Sequence, residues 1–199
     1  MPDSSAQRRP DPMNQLRGKK NNAQGFIFED GIKKACRKYS LSGCAEIDKT
    51  PEPFRVMQKH GRGLFTGRFT APAQPDFQGT LYGGQSIVFE AKYTRSDRIG
   101  RNVLTQNQMT MLEYHQKLGA ISLVVFGIRD QFFALPWVYW RDMKQQFGRQ
   151  YLIAADVQHW RVPFDGSVLF LDTDKRNMKG RDENAGSVHS RPDYRNSGL

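Results

Sequence analysis

Pro75-Asp76-Phe77-Gln78-Gly79-Thr80-Leu81-Tyr82-Gly83-Gly84-Gln85-Ser86-Ile87-Val88-Phe89-Glu90-Ala91-Lys92 is the stretch on which the fold turns. Phe77 to Leu81 and Ser86 to Lys92 read as strands. Tyr82-Gly83-Gly84-Gln85 reads as the turn between them, because glycine supplies the positive φ that tight turns require. Successive strand side chains point to opposite faces, so Ile87, Phe89 and Ala91 share one side and Val88, Glu90 and Lys92 the other. Whether Asp76 joins Glu90 and Lys92 depends on the loop. A two-residue Gly83-Gly84 turn opposes Asp76 to Ala91 and sends its side chain to the wrong face. A three-residue loop shifts the parity and puts Asp76 on the face of Glu90 and Lys92, and we expect an odd-length loop or a bulge. Two carboxylates and a lysine gathered in this way suit a divalent metal and a water nucleophile, the hard oxygens taking Mg2+, with Mn2+ as a substitute.

Working outward, Phe28, Ile32, Ala35, Cys36 and Tyr39 recur at helical spacing, with Lys33, Lys34, Arg37 and Lys38 between them. That pattern predicts an amphipathic helix with a basic outer face, closed by Gly43 and followed by a short strand over 44–48. Thr50-Pro51-Glu52-Pro53 breaks regular structure. From Phe54 to Gln74 the charges are of one sign: Arg55, Lys59, Arg62 and Arg68, with no acid. With Gly61, Gly63 and Gly67 between them, this is expected to be a protruding basic ribbon or loop whose cations meet backbone phosphates. Arg95, Arg98 and Arg101 follow the Glu90 strand in a polar linker and are further phosphate candidates. A helix over 106–118, a doubly buried strand over 120–128, a strand over 131–135, a helix over 136–147 and a last short strand over 168–171 complete the order α-β-β-β-α-β-β-α-β.

The chain has 199 residues and an excess of Lys+Arg 30 over Asp+Glu 20, a net charge of +10, which favours a polyanionic partner. No apolar stretch approaches the roughly 20 residues of a membrane span, and residues 1–20 carry no apolar signal segment. Cys36 and Cys44 make neither a zinc site nor a disulfide framework, and a reduced, cytoplasmic setting is expected. By composition, residues 1–22 and 173–199 read as disordered polar tails around a folded domain over 23–172.

Pro75-Asp76…Glu90-Ala91-Lys92 resembles the PD-(D/E)xK nuclease signature. Four further segments resemble the RecU-type Holliday junction resolvases in family order: Gly25-Phe26-Ile27-Phe28-Glu29-Asp30-Gly31-Ile32 with Tyr39, Thr50-Pro51-Glu52-Pro53, the Asp76-Phe77-Gln78-Gly79 run, and Gln106-Asn107-Gln108-Met109 ahead of Gly119-Ala120. The resemblance covers about residues 24 to 147. It implies an α/β fold, a restriction-endonuclease-like mixed β-sheet flanked by helices. It also implies a Mg2+-dependent endonuclease that resolves branched DNA in recombination and repair.

On that resemblance Asp76 and Glu90 are metal ligands, and Lys92 is the water-activating base or electrostatic stabiliser. Gln108, with Gln106 as its rival, positions water or phosphate, and Glu29 sits beside the metal from the first helix. The segment between Pro53 and Asp76 is short for the stalk of that family, which leaves junction selectivity open. An endonuclease acting on duplex DNA, or a DNA-binding module without catalysis, are the competing readings. Paired cuts across a four-way junction need two copies of the site, so a homodimer is expected.

Overall fold

The computed structural model describes residues 12–51, 53–69 and 74–172; residues 1–11, 52, 70–73 and 173–199, and the side chains of 12–23, 54, 62 and 69, lie outside the described residues. In chain order the elements are α1 (Pro12–Leu41), β1 (Ala45–Lys49), β2 (Phe54–Lys59), β3 (Phe65–Phe69), β4 (Phe77–Leu81), β5 (Ser86–Thr94), β6 (Arg98–Gly100), α2 (Gln106–Lys117), β7 (Ile121–Ile128), β8 (Gln131–Pro136), α3 (Trp137–Arg141), α4 (Met143–Phe147) and β9 (Tyr151–Ile153). A 3-10 segment, Ala154–Trp160, follows.

The central sheet has the strand order β1-β4-β5-β7-β8. Its pairs are antiparallel except β5 with β7, which run parallel and are joined through α2. It is a mixed sheet in an α/β layer arrangement, because the single parallel pair needs a crossover helix. The alternation along β5 divides the core. Ile87 and Phe89 enter a cluster with Phe28, Ile32, Ala35 and Tyr39 of α1, and Val88 enters a second cluster with Leu112 of α2, Trp137, Trp140 and Met143. Helix α1 therefore covers one face and α2, α3 and α4 the other. Glu90, two residues from Val88, belongs to the α2 face.

The β4–β5 hairpin closes through three residues. Phe77 pairs with Phe89 and Thr80 with Ser86, Leu81 donates its N–H to the Gln85 carbonyl at 2.8 Å, and Tyr82-Gly83-Gly84 is left as the loop. Gly83 and Gly84 sit at φ +88° and +89°, left-handed positions that a side chain rarely adopts. The odd loop carries the register outward so that Asp76 falls opposite Glu90.

The basic segment is a separate two-stranded antiparallel ribbon, β2 with β3, with a bulge between Val56 and Gln58. Several other expectations are corrected. Residues 12–22, read as tail, are the opening turns of α1; the outer part of that tail and residues 173–199 lie outside the described residues. The helix expected over 136–147 is two short helices, because the chain breaks at Asp142 (φ −95°, ψ 25°). The linker after Glu90 contains β6, which pairs with β9. Residues 168–171 form no strand: beyond one bridge from Phe164 to Val168, they lie against α1, with the Val168 N–H on the Gly31 carbonyl and the Leu171 N–H on the Tyr39 hydroxyl. Among the described residues no helix is long and apolar enough to cross a membrane.

Candidate active site

Glu90 is fully buried on the central strand β5. Three groups reach it or its neighbour. Lys92, on the same face of β5, places Nζ 3.1 Å from Glu90 Oε2 and 3.3 Å from Asp76 Oδ2. The Ala91 N–H donates to Asp76 Oδ2 at 2.9 Å, tying the residue before β4 to the edge of β5. Gln108 Nε2, from the first turn of α2, donates to Glu90 Oε2 at 2.6 Å. The structure thus gathers Asp76, Glu90, Lys92 and Gln108, and between the two glutamine candidates it is Gln108 that arrives. Gln106 is exposed.

The electrostatics follow from burial. Removing a carboxylate from water penalises its charged form, and the neighbouring Asp76 carboxylate adds to that penalty. Lys92 opposes both without cancelling them, so the Glu90 carboxyl is pushed up to about 8. Its Oε1 is buried and has no hydrogen-bond partner among the described residues. Such an atom costs free energy unless something outside the chain's own side chains satisfies it.

Glu29 does not join this group. It accepts from Lys33 and Lys49 at 2.7 Å each. Burial raises its pKa, but the two lysine hydrogen bonds outweigh burial and hold it below the usual carboxylate range. Among the described residues no three His, Cys, Asp or Glu side chains converge as a metal-ligand group, so the carboxylates gathered here are Asp76 and Glu90. Helical spacing alone left the partner of Glu29 unassigned; in the structure its carboxylate is held by Lys33 and by Lys49 at the end of β1.

In sequence, two groups of cations flank the site residues. On the ribbon, Arg55 stands directly opposite Arg68, and Lys59 opposite Phe65. Arg55, Lys59 and Arg68 are exposed and take part in no ion pair among the described residues; the side chain of Arg62 lies outside them. On the other flank Arg95 and Arg98 are exposed. The Arg98 guanidinium lies 5.0 Å from the centre of the Tyr151 ring, with Arg149 4.9 Å from the same ring. Arg101 is half-buried and its Nε has no hydrogen-bond partner among the described residues. By contrast the basic face of α1 is largely neutralised: Lys33, Lys34 and Lys38 each hold a carboxylate.

Two features escaped the sequence reading. Arg149 and Tyr151 left no local signal, since their role depends on the β6–β9 pairing. Thr105 did leave one: Thr105-Gln106-Asn107-Gln108 has the spacing of a helix capping box. In the structure Thr105 is the N-cap of α2, and its side chain accepts from the Gln108 N–H.

Residues 23–162 match the sequence profile of the family described as Recombination protein U, RecU. The chain belongs to the RecU family. Curated relatives named Holliday junction resolvase RecU, from two strains of Staphylococcus epidermidis, are 28% identical over 130 residues, which cover 59% of this chain and 62% of theirs. The matched part of this chain therefore spans less than two thirds of the length of these RecU relatives. Among solved structures, Hjc of Archaeoglobus fulgidus, titled a Holliday junction resolvase from an archaeal hyperthermophile, aligns with TM-score 0.39 and 13% identity over 67% of this chain and 87% of that one. That likeness is too slight to bear on the argument.

Proposed function

We propose that this protein is a divalent-metal-dependent endonuclease that resolves Holliday junctions, acting on DNA in the cytoplasm as a homodimer. The observation that carries the reading is a pair of carboxylates bridged by Lys92, Glu90 fully buried and Asp76 half-buried, with Glu90 Oε1 unsatisfied among the described residues. Membership of the RecU family and the names of the curated relatives support branched DNA as the substrate class.

The residues fit Mg2+, with Mn2+ as its substitute. Asp76 and Glu90 would hold the ion through hard oxygen donors, and the unpartnered Glu90 Oε1 is an atom that such an ion satisfies. When bound, it supplies Lewis-acid stabilisation of the charge on the scissile phosphate. The chain's own groups do the rest. Lys92 lies between the carboxylates, where its ammonium meets the phosphate or its deprotonated amine takes a proton from the attacking water. Gln108 fixes Glu90 Oε2 in place, and the Ala91 N–H fixes Asp76 Oδ2. Arg55 and Arg68 on the ribbon, with Arg95, Arg98 and Arg101 after β5, provide the cations that neutralise DNA phosphates. One chain holds one such site, so the two symmetric cuts that release duplex products require two chains.

The test is cleavage of a synthetic four-way junction, a matched linear duplex and a flap, each in Mg2+ or EDTA. Junction cutting in Mg2+ that EDTA abolishes supports the reading. Equal cutting of linear duplex supports a general endonuclease instead, and binding without cleavage a catalytically silent module.

A further inference from the structure

The side-chain amide of Gln108 has two ends of nearly equal size and opposite chemistry, an oxygen that accepts and an NH2 that donates. When Glu90 is ionised, the form that holds a metal, its Oε2 can only accept, and the amide places its donor end there at 2.6 Å; the amide oxygen would set acceptor against acceptor. What decides the orientation lies three residues earlier. The backbone N–H of Thr105 donates to Gln108 Oε1 at 3.0 Å, and the Thr105 hydroxyl lies 3.3 Å from the same oxygen. That hydroxyl also accepts from the Gln108 N–H at 3.3 Å, a pairing its one hydrogen and two lone pairs allow. A backbone N–H can only donate, so it demands the amide oxygen on its side and turns the NH2 toward Glu90. With Lys92 and Gln108 both on Oε2, it is Oε1 that is left open.

We infer that Thr105 is a positioning residue of the active site: it holds the oxygen of Gln108 and so keeps the donor end of that amide on Glu90. The helix cap and the catalytic carboxylate are thereby connected through one side chain. This inference rests on the nuclease reading only for its effect on cleavage; the amide orientation is a property of the free protein.

The backbone at Thr105 makes a direct test possible. Its φ of −72° suits proline, and Leu104 before it, at φ −90° and ψ 132°, has the extended conformation that a residue preceding proline adopts. Thr105→Pro therefore removes the N–H that orients Gln108 without forcing the chain. Thr105→Ala removes the hydroxyl but keeps that N–H, and Thr105→Ser keeps both. All four proteins are compared for junction cleavage, thermal midpoint and hydrogen exchange at the Gln108 side-chain NH2, whose NMR signals are assigned by their loss in Gln108→Met.

Thr105→Pro is expected to lose about tenfold or more in kcat at little change in KM, as befits a lost hydrogen bond to a charged group, with a thermal midpoint close to that of Thr105→Ala. Thr105→Ser stays near wild type. In a Gln108→Met background Thr105→Pro has no further effect, because Thr105 acts through Gln108. Protection of the Gln108 NH2 from exchange survives Thr105→Ala and disappears in Thr105→Pro. Unchanged protection in Thr105→Pro, cleavage equal to that of Thr105→Ala, or additive losses in the double variant would overturn the inference. A wild type that cuts no substrate refutes the nuclease reading alone, and the exchange measurement still decides the role of Thr105.

Discussion

Phe77 and Phe89 stand directly opposite each other on β4 and β5, with ring centroids 4.9 Å apart and planes within 10° of parallel. Both are fully buried beneath α1. One residue further along each strand, on the opposite face, lie Asp76 and Glu90. The stacked pair and the charged pair are two sides of one register, so whatever holds the first positions the second.

The loop parity gives the first prediction. Deleting Gly84 leaves a two-residue turn, which either splits Phe77 from Phe89 or sends Asp76 to the α1 face, since a one-residue slip reverses every side chain. Such a variant is expected to lose cleavage and several degrees of thermal midpoint. Inserting two glycines after Gly83 keeps the parity and costs only loop entropy, well under about 1 kcal/mol. Retained cleavage in the deletion variant, measured on a four-way junction, would show that register does not set the site.

The second prediction concerns Glu90. Its folded-state pKa, pushed up to about 8 by burial and then by Asp76, lies above the 4.5 of an ordinary glutamate. Between these values the native state binds the proton that the unfolded chain has released, so stability falls as pH rises from about 4.5 toward 8. Glu90→Gln removes the ionisable group. In EDTA it is expected to melt higher than wild type at pH 8, by a margin on the order of a few kcal/mol, and to match wild type near pH 5. It should cut nothing. Mg2+ should raise the melting point of wild type and leave Glu90→Gln unmoved, because ligand that binds only the native state stabilises it by mass action. A flat pH profile for the difference in midpoint would refute the burial argument.

The third prediction tests a close approach within the sheet. A Cβ added to Gly79 would lie 2.0 Å from the Glu46 carbonyl oxygen and 2.6 Å from the Ile47 Cα, both backbone atoms of the neighbouring β1. Gly79→Ala must therefore push β1 from β4, which pair antiparallel across this position. The expected loss is about 3 kcal/mol or more, in the range of other strained or overpacked core changes. Gly25→Ala, with open space around it, is the control. Equal denaturation midpoints for the two variants would contradict the geometry.

Much of this architecture was legible because it obeys short-range rules. Phe28, Ile32, Ala35, Cys36 and Tyr39 are all buried on one side of α1, as helical spacing requires. The period of two along β5 separated Glu90 from Phe89, and paired glycines made an odd loop affordable in strain. What stayed hidden depends on contacts far apart in sequence. Val168 to Leu171 has the composition of a strand, yet the Phe132 carbonyl of β8 is already taken by the Val162 N–H, and the later residues turn to α1. A three-residue strand such as β6 has no period to read, so its pairing with β9 is visible only in three dimensions. The pairing of Glu29 with Lys49 was hidden for the same reason, since Lys49 reaches it across 20 positions of sequence.

The last prediction concerns the ribbon. Arg55 and Arg68 face each other across β2 and β3, an arrangement that repels and is unfavourable without an anion between or above the pair. The bulge at Val56/Gln58 returns Gln58 and Thr66 to the face of these arginines and puts Lys59 and Phe65 on the other. The two cations thus share one surface, where a DNA backbone could relieve their repulsion, whereas Lys59 points away from it. If Arg55 and Arg68 each neutralise a phosphate, single alanine substitutions should flatten the slope of log K against log salt by about 0.9, and the double variant by about twice that. Lys59→Ala, on the other face, should change the slope less. Losing the Arg55–Arg68 repulsion should also leave the free protein as stable as wild type or slightly more so. Junction binding measured from 50 to 300 mM KCl decides it: a double variant with the wild-type slope would mean that this face meets only solvent.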